Sequence, residues 1–193
     1  MEKYEYFKKE LSYIKNVKML DNAKKLINLL PDYFFKVAAS STGKYHPSFA
    51  QGDGGLVRHT KAAVRLAYEL LINQFIGKSF TDDEKDLILI ALIMHDGCKH
   101  GLIETKYTVA DHPLIVARLI RENKDKLTLS EDELELLCSM IETHMGEFNK
   151  DYKGNTLMPL PHNRYQNFVH MCDYLASKKF LDIHFKENDI VEE

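Results

Sequence analysis

Apolar residues recur along most of this chain at intervals of three and four, the period of an α-helix with one face turned to a core. In YEYFKKELSYIKNV, Tyr4, Phe7, Leu11, Ile14 and Val17 form such a stripe. It predicts an N-terminal helix over 3–30, packed on the rest and interrupted at Pro31, which has no amide to donate. SSTGKYHPSFAQGDGG at 40–55 is rich in Ser and Gly and reads as a long loop. A second helix is expected from Leu56 to about Ile76. Thr81 followed by Asp82, Asp83 and Glu84 reads as an N-cap with an acidic first turn, opening a helix that reaches about His95. The interior of that helix, LILIALIM, is apolar on every side, as in a central buried helix.

Gly97 is placed to stop it. Pro113 suits the first turn of a further helix over 113–123. Ser130 and the acidic residues after it open another that ends near His144, with Gly146 just beyond. A second long loop, EFNKDYKGNTLMPLPH at 147–162, leads to a last helix from about Asn163 to Phe180. The acidic tail ENDIVEE reads as frayed. No repeat and no alternating strand pattern stands out. The elements together predict an all-α fold, a helical bundle with two long loops, forming one domain over 1–193 with its core at about 38–180.

Composition narrows this only a little. In 193 residues, 45% are hydrophobic and 28% charged, normal for a soluble globular chain. The net charge of −3 argues against a broad, nonspecific grip on nucleic-acid phosphates. Cys98, Cys138 and Cys172 form no C-x-x-C pair, and an odd count does not make a disulfide framework. Together with a charged start that lacks a signal-type apolar core, they point to a reduced, cytoplasmic setting with no disulfide partner. No uninterrupted apolar run approaches 18 residues, so no membrane span is expected.

The chemistry sits at the helix ends. In LIMHDGCKHG at 92–101, an apolar run stops at His95 and Asp96. With 9 His and 14 Asp in the chain, chance alone gives about 0.65 His-Asp pairs, so the dipeptide decides nothing by itself. The faces are more informative. His59 shares a stripe with Ala63, Leu66 and Leu70; His95 follows Ile88 and Ala91; His112 precedes Val116, Leu119 and Ile120. His144 shares a face with Leu137, Met140 and Ile141, and Asp173 with Val169, Ala176 and Phe180. A lone inward histidine is usually a hydrogen-bonded core residue. An inward aspartate is costly to bury unless it is paired or binds a metal, and Asp173 has no lysine or arginine one helical turn away, only His170. Four imidazoles and two carboxylates suffice for one or two divalent ions, with Asp96 the natural bridge. The donor set does not choose among Mn, Fe, Zn, Co and Ni. It lacks the sulfur usual in structural zinc sites.

The order His59, His95-Asp96, His112, His144, Asp173 resembles the H…HD…H…H…D order of dinuclear HD-domain metal-dependent phosphohydrolases, over about 38–180. GGLVRHT at 54–60, AAS…YH at 38–46, HDGCK at 95–99 and DYLAS at 173–177 resemble segments of HD domains related to 3′–5′ exoribonucleases. Gly97-Cys98 replaces the usual Ile-Gly, no GYP signature is present, and no oligonucleotide-binding domain precedes the helical part. The resemblance implies an HD-type bundle and divalent metal, Mg included. It implies His59, His95, Asp96 and Asp173 as core ligands and His112 and His144 as ligands of a second ion. Asp96 and Lys99 carry the catalytic expectation, Lys99 beside a substrate phosphate; its alternative is to neutralise the end of its helix. Lys44 and His46, in the first loop, are expected to read the substrate, against the alternative of a solvated loop. The implied activity is hydrolysis of a phosphoester in a nucleotide, a cyclic nucleotide or a short oligonucleotide. The alternative is a noncatalytic nucleotide-binding and signalling module of the same shape. Arg58 and Arg118 are candidate phosphate contacts, with solvated arginine the commoner case. His100 and His162 read as surface residues, Cys98 and Cys172 as packing residues. His170 either supports a ligand or makes a core hydrogen bond.

Overall fold

The computed structural model describes residues 2–192. It is mostly helical. After a 3-10 turn at Lys3–Phe7, the α-helices are α1 (Lys8–Leu11), α2 (Val17–Leu29), α3 (Gly55–Ile72), α4 (Asp82–Met94), α5 (His112–Glu122), α6 (Glu131–Glu142) and α7 (Arg164–Ala176). Among the described residues, no helix is long and apolar enough to cross a membrane.

Helix α4 is the axis of the bundle. Thr81 and Glu84 close a capping box at its start. Every residue from Asp86 to Met94 is buried, and α2, α3, α6 and α7 pack around it. A second capping box, Ser130 with Glu133, starts α6. Asn16 caps α2, its side chain accepting from the Lys18 amide. A single apolar cluster runs from Phe7 through the middle of α4 to Ala176.

Several boundaries differ from the pattern-based expectation. The expected helix over 3–30 is broken at 12–16, and Val17, expected inside, is 80% exposed. The cause is distant. The Asp86 carboxylate accepts the amides of Lys15 and Asn16, at 3.1 and 2.8 Å, and so satisfies backbone donors that a continuous helix would have used. Helix α3 ends at Ile72 rather than Ile76, because the Asn73 side chain accepts the amides of Phe75 and Ile76. Helix α7 ends at Ala176, leaving Phe180 outside it and 79% exposed.

The acidic tail is not frayed over its described residues. Phe185–Lys186 (β1) and Asp189–Ile190 (β2) pair antiparallel, a strand pair the sequence pattern did not reveal. Glu187 in its turn has a φ of 56°. Charge holds this hairpin to α3: Asn188 accepts from Arg58, Asp189 pairs with Lys61, and Glu192 pairs with Arg65 at 2.6 Å.

Gly97 does not terminate α4 through a left-handed turn. Its amide donates to the Met94 carbonyl at 2.8 Å, and a Cβ there would stand 2.4 Å from Leu30 Cδ2. The glycine lets the 95–101 segment turn while still inside the core, where residues 91–101 are all buried.

Candidate metal centre

Five segments deliver the six predicted ligands to one place. His59 lies in the second turn of α3, and His95 and Asp96 follow directly on α4. His112 opens α5, His144 sits two residues past the end of α6, and Asp173 occupies the last turn of α7. His59, His95, Asp96, His112 and His144 are at most 2% exposed. The Asp173 side chain, at 17%, is the partly open one of the six.

Backbone carbonyls orient three of the imidazoles. The Nδ1 atoms of His95, His112 and His144 lie 2.6, 2.8 and 2.8 Å from the carbonyls of Leu92, Val109 and Ile141. A ring nitrogen facing a carbonyl must carry the proton, so in the neutral ring Nε2 is the lone-pair atom. All three Nε2 atoms are buried without a hydrogen-bond partner among the described residues, and so is Asp96 Oδ1.

These acceptors crowd together around the two carboxylates. Asp96 Oδ1 is 2.9 Å from His112 Nε2 and 3.6 Å from His144 Nε2. Asp96 Oδ2 faces the other way, 3.5 Å from His95 Nε2, 3.8 Å from His59 Nε2 and 2.5 Å from Lys99 Nζ. Asp173 Oδ1 lies 2.9 Å from His59 Nε2 and 3.3 Å from His95 Nε2. Two triads, His59–His95–Asp173 and His95–Asp96–His144, each present one donor atom per residue within 4.8 Å of the others. His112 stands outside both triads and joins the centre through Asp96.

A dry cluster of lone pairs is unfavourable, because each buried acceptor has lost its hydration without compensation. Protons can supply part of the missing positive charge. Burial works against ionisation of Asp96, yet Lys99 and His95 hold its carboxyl well below the usual range. Burial likewise opposes the charge on Asp173, which His95 and His59 keep low. His95 is raised although burial opposes it, because Asp96 and Asp173 face it; burial lowers His144. A divalent cation satisfies the same lone pairs together, and the nitrogen and oxygen donors suit Mn, Fe, Co, Ni or Zn. The buried His/Asp cluster can therefore hold a metal ion.

The remaining candidates divide. Lys99, 8% exposed, belongs to the centre. The His46 ring stands edge-on to His59, with centroids 4.7 Å apart, and its buried Nδ1 lacks a partner. Burial, then the charges of His59 and Lys99, push His46 down to about 3, so it is neutral. Lys44 is exposed, and among the described residues no hydrogen bond or ion pair ties it to the centre. Arg58 is not a free phosphate contact: its guanidinium donates to the carbonyls of Phe49 and Gln51 and to Asn188, stapling the 49–54 loop to α3. Arg118 and His162 are exposed. His100, expected on the surface, is 6% exposed, because its amide donates to the Tyr33 hydroxyl and its ring stacks on that tyrosine. Cys98 and Cys172 are fully buried packing residues.

His170 was only half-legible in the sequence. It sits one turn before Asp173 on α7, and its Nδ1 donates to the His144 carbonyl at 2.6 Å. The spacing from Asp173 was the available signal; its partner in the turn after α6 was not. Comparison of the chain with family models, with curated proteins and with solved structures gives no match.

Proposed function

We propose that this chain is an HD-type, metal-dependent phosphohydrolase that cleaves a phosphoester of a nucleotide, a cyclic nucleotide or a short oligonucleotide. One observation carries the proposal. Asp96 turns its two oxygens toward two different groups of histidines, and the Nε2 atoms of His95, His112 and His144 have no hydrogen-bond partner among the described residues. That is the donor arrangement a carboxylate bridge between two cations requires. His59, His95 and Asp173 would complete one side, and His112 and His144 the other. Bound divalent ions would supply Lewis acidity, which acidifies coordinated water and offsets the charge that develops on a phosphoryl group.

The other roles fall to the chain itself. Lys99 keeps a cationic donor at the edge of the centre, where burial limits screening. In this reading it turns from Asp96 to a nonbridging phosphate oxygen as negative charge builds there. The approach is from the side of Asp173 and His46, since the other ligands are closed off by the bundle. His46, neutral and with a free Nδ1, is suited to a hydrogen bond with the substrate, and its burial against His59 limits bulk water.

A second reading has a specific observation behind it. The Lys99 ammonium is already engaged by Asp96, as in a closed site that binds a metal or nucleotide without turning it over. A chromogenic phosphodiester with added manganese separates the two. Hydrolysis by the wild type, reduced at least a hundredfold in Asp96→Ala, supports the hydrolase. No turnover with any divalent metal, or equal rates in the two proteins, supports the binding module.

A further inference from the structure

We infer that His170 is a positioning residue that holds His144 in place for the ion on the His112–His144 side. The inference rests on the two-ion reading of the site and adds a residue outside its ligand set.

Like His95 and Asp96, His144 stands outside a helix. His59 and Asp173 stand within helices, and His112 starts one with Pro113 directly after it. His144 lies beyond the last residue of α6, and its amide reaches the Ile141 carbonyl at a long 3.3 Å. Two residues later Gly146 takes a φ of +54°, turning the chain away sharply. The turn's own amides, those of Gly146 and Phe148, go to the carbonyls of Thr143 and Met145, and no described backbone amide reaches that of His144. The His144 carbonyl is instead fixed from outside by His170 Nδ1, at 2.6 Å.

The ring of His170 also sets the course of the chain after the ligand. A Cβ on Gly146 would come within 2.2 Å of His170 Cε1, so the backbone rests directly against the imidazole. Glycine is required there twice over, by its φ and by the contact. His170 and Asp173 are three residues apart on α7 and share a face. One helix therefore presents a ligand to the His59–His95 side and a support to the His144 side. Removing a hydrogen-bonding support behind a metal ligand typically costs 10–100-fold in metal affinity.

The test compares wild type, His170→Ala and His170→Asn, each titrated with Mn(II) or Co(II) after chelator treatment, with bound ions counted per chain. Asparagine carries its amide nitrogen the same number of bonds from the backbone as Nδ1 and can donate to the same carbonyl. The inference expects two ions in the wild type. In His170→Ala one ion binds at least tenfold more weakly while the other stays within about threefold, which also shows that the variant is folded. His170→Asn returns the weakened ion to within about threefold of the wild type. Equal binding in wild type and His170→Ala, equal loss of both ions, or no rescue by His170→Asn each overturns this inference and leaves the proposed function standing. A wild type that takes up only one ion also overturns it. A wild type that takes up none overturns the proposed function as well.

Discussion

On the proposed function, Lys99 sits where its effects on metal affinity and on turnover oppose each other. Its ammonium lies 2.5 Å from Asp96 Oδ2, with side-chain exposures of 10% and 2%, so solvent screens the pair little. At an effective dielectric of 20, charges 2.5 Å apart attract by about 7 kcal/mol. Desolvation offsets much of that, and removing one partner of a buried pair typically costs about 3–5 kcal/mol. In metal-free protein, Lys99→Met leaves Asp96 without its permanent cation, and the expected loss is about 3 kcal/mol of unfolding free energy. With divalent metal bound, the ion takes over that role and the loss shrinks to about 1 kcal/mol. Linkage then requires the variant to bind the metal more tightly by the difference of about 2 kcal/mol, roughly thirtyfold. Turnover moves in the opposite direction, falling about a hundredfold or more if Lys99 stabilises the phosphoryl charge. Urea unfolding with and without Mn(II), together with a metal titration, measures all the stability terms. A cost that is the same in both states, or weaker metal binding by Lys99→Met, refutes the reasoning.

Gly146→Ala should cost about 1–2 kcal/mol from its left-handed backbone alone, and more from the collision with His170. In a His170→Ala background only the backbone cost remains, so denaturant unfolding should show strong coupling between the two sites, and simple additivity would contradict the contact. Burial pushes the thiols of Cys98 and Cys138 up to about 12 and raises that of Cys172 as well. At pH 8 the folded protein should leave all three unreacted with a thiol reagent and expose three on denaturation; one fast thiol in the native state would be at odds with their burial. Asp189→Asn combined with Glu192→Gln removes the hairpin's pairings with Lys61 and Arg65, so trypsin should cut after Lys186 several-fold faster than in the wild type. An unchanged cleavage rate would mean that the hairpin is held by the Phe49–Phe185 packing instead.

The sequence carried the parts of this structure that local physics decides. Thr81 with Glu84 and Ser130 with Glu133 are capping boxes readable within four residues, and the apolar run from Leu87 to Met94, behind the first of them, reads as a buried helix. The faces bearing His59, His95, His112, His144 and Asp173 followed from helical spacing, and the structure turns all five toward one centre. What failed was decided at long range. The break at 12–16 depends on a carboxylate on α4 about seventy residues away. The burial of His100 depends on Tyr33, and the order of the acidic tail on Arg58, Lys61 and Arg65. Nothing around Arg58 in the sequence reveals that carbonyls and an asparagine already occupy its guanidinium. The role of His170 likewise required seeing the carbonyl it reaches on the preceding turn.

The central claim is that a buried set of imidazole and carboxylate lone pairs is a cation centre. Elemental analysis of purified protein, followed by equilibrium dialysis of chelator-treated protein against Mn(II), Co(II) and Zn(II), tests it most directly. The account predicts two ions per chain, with uptake of both disrupted in Asp96→Ala because that carboxylate faces both groups of histidines. A wild type that remains metal-free with every ion, or an Asp96→Ala variant that binds them as the wild type does, would contradict it.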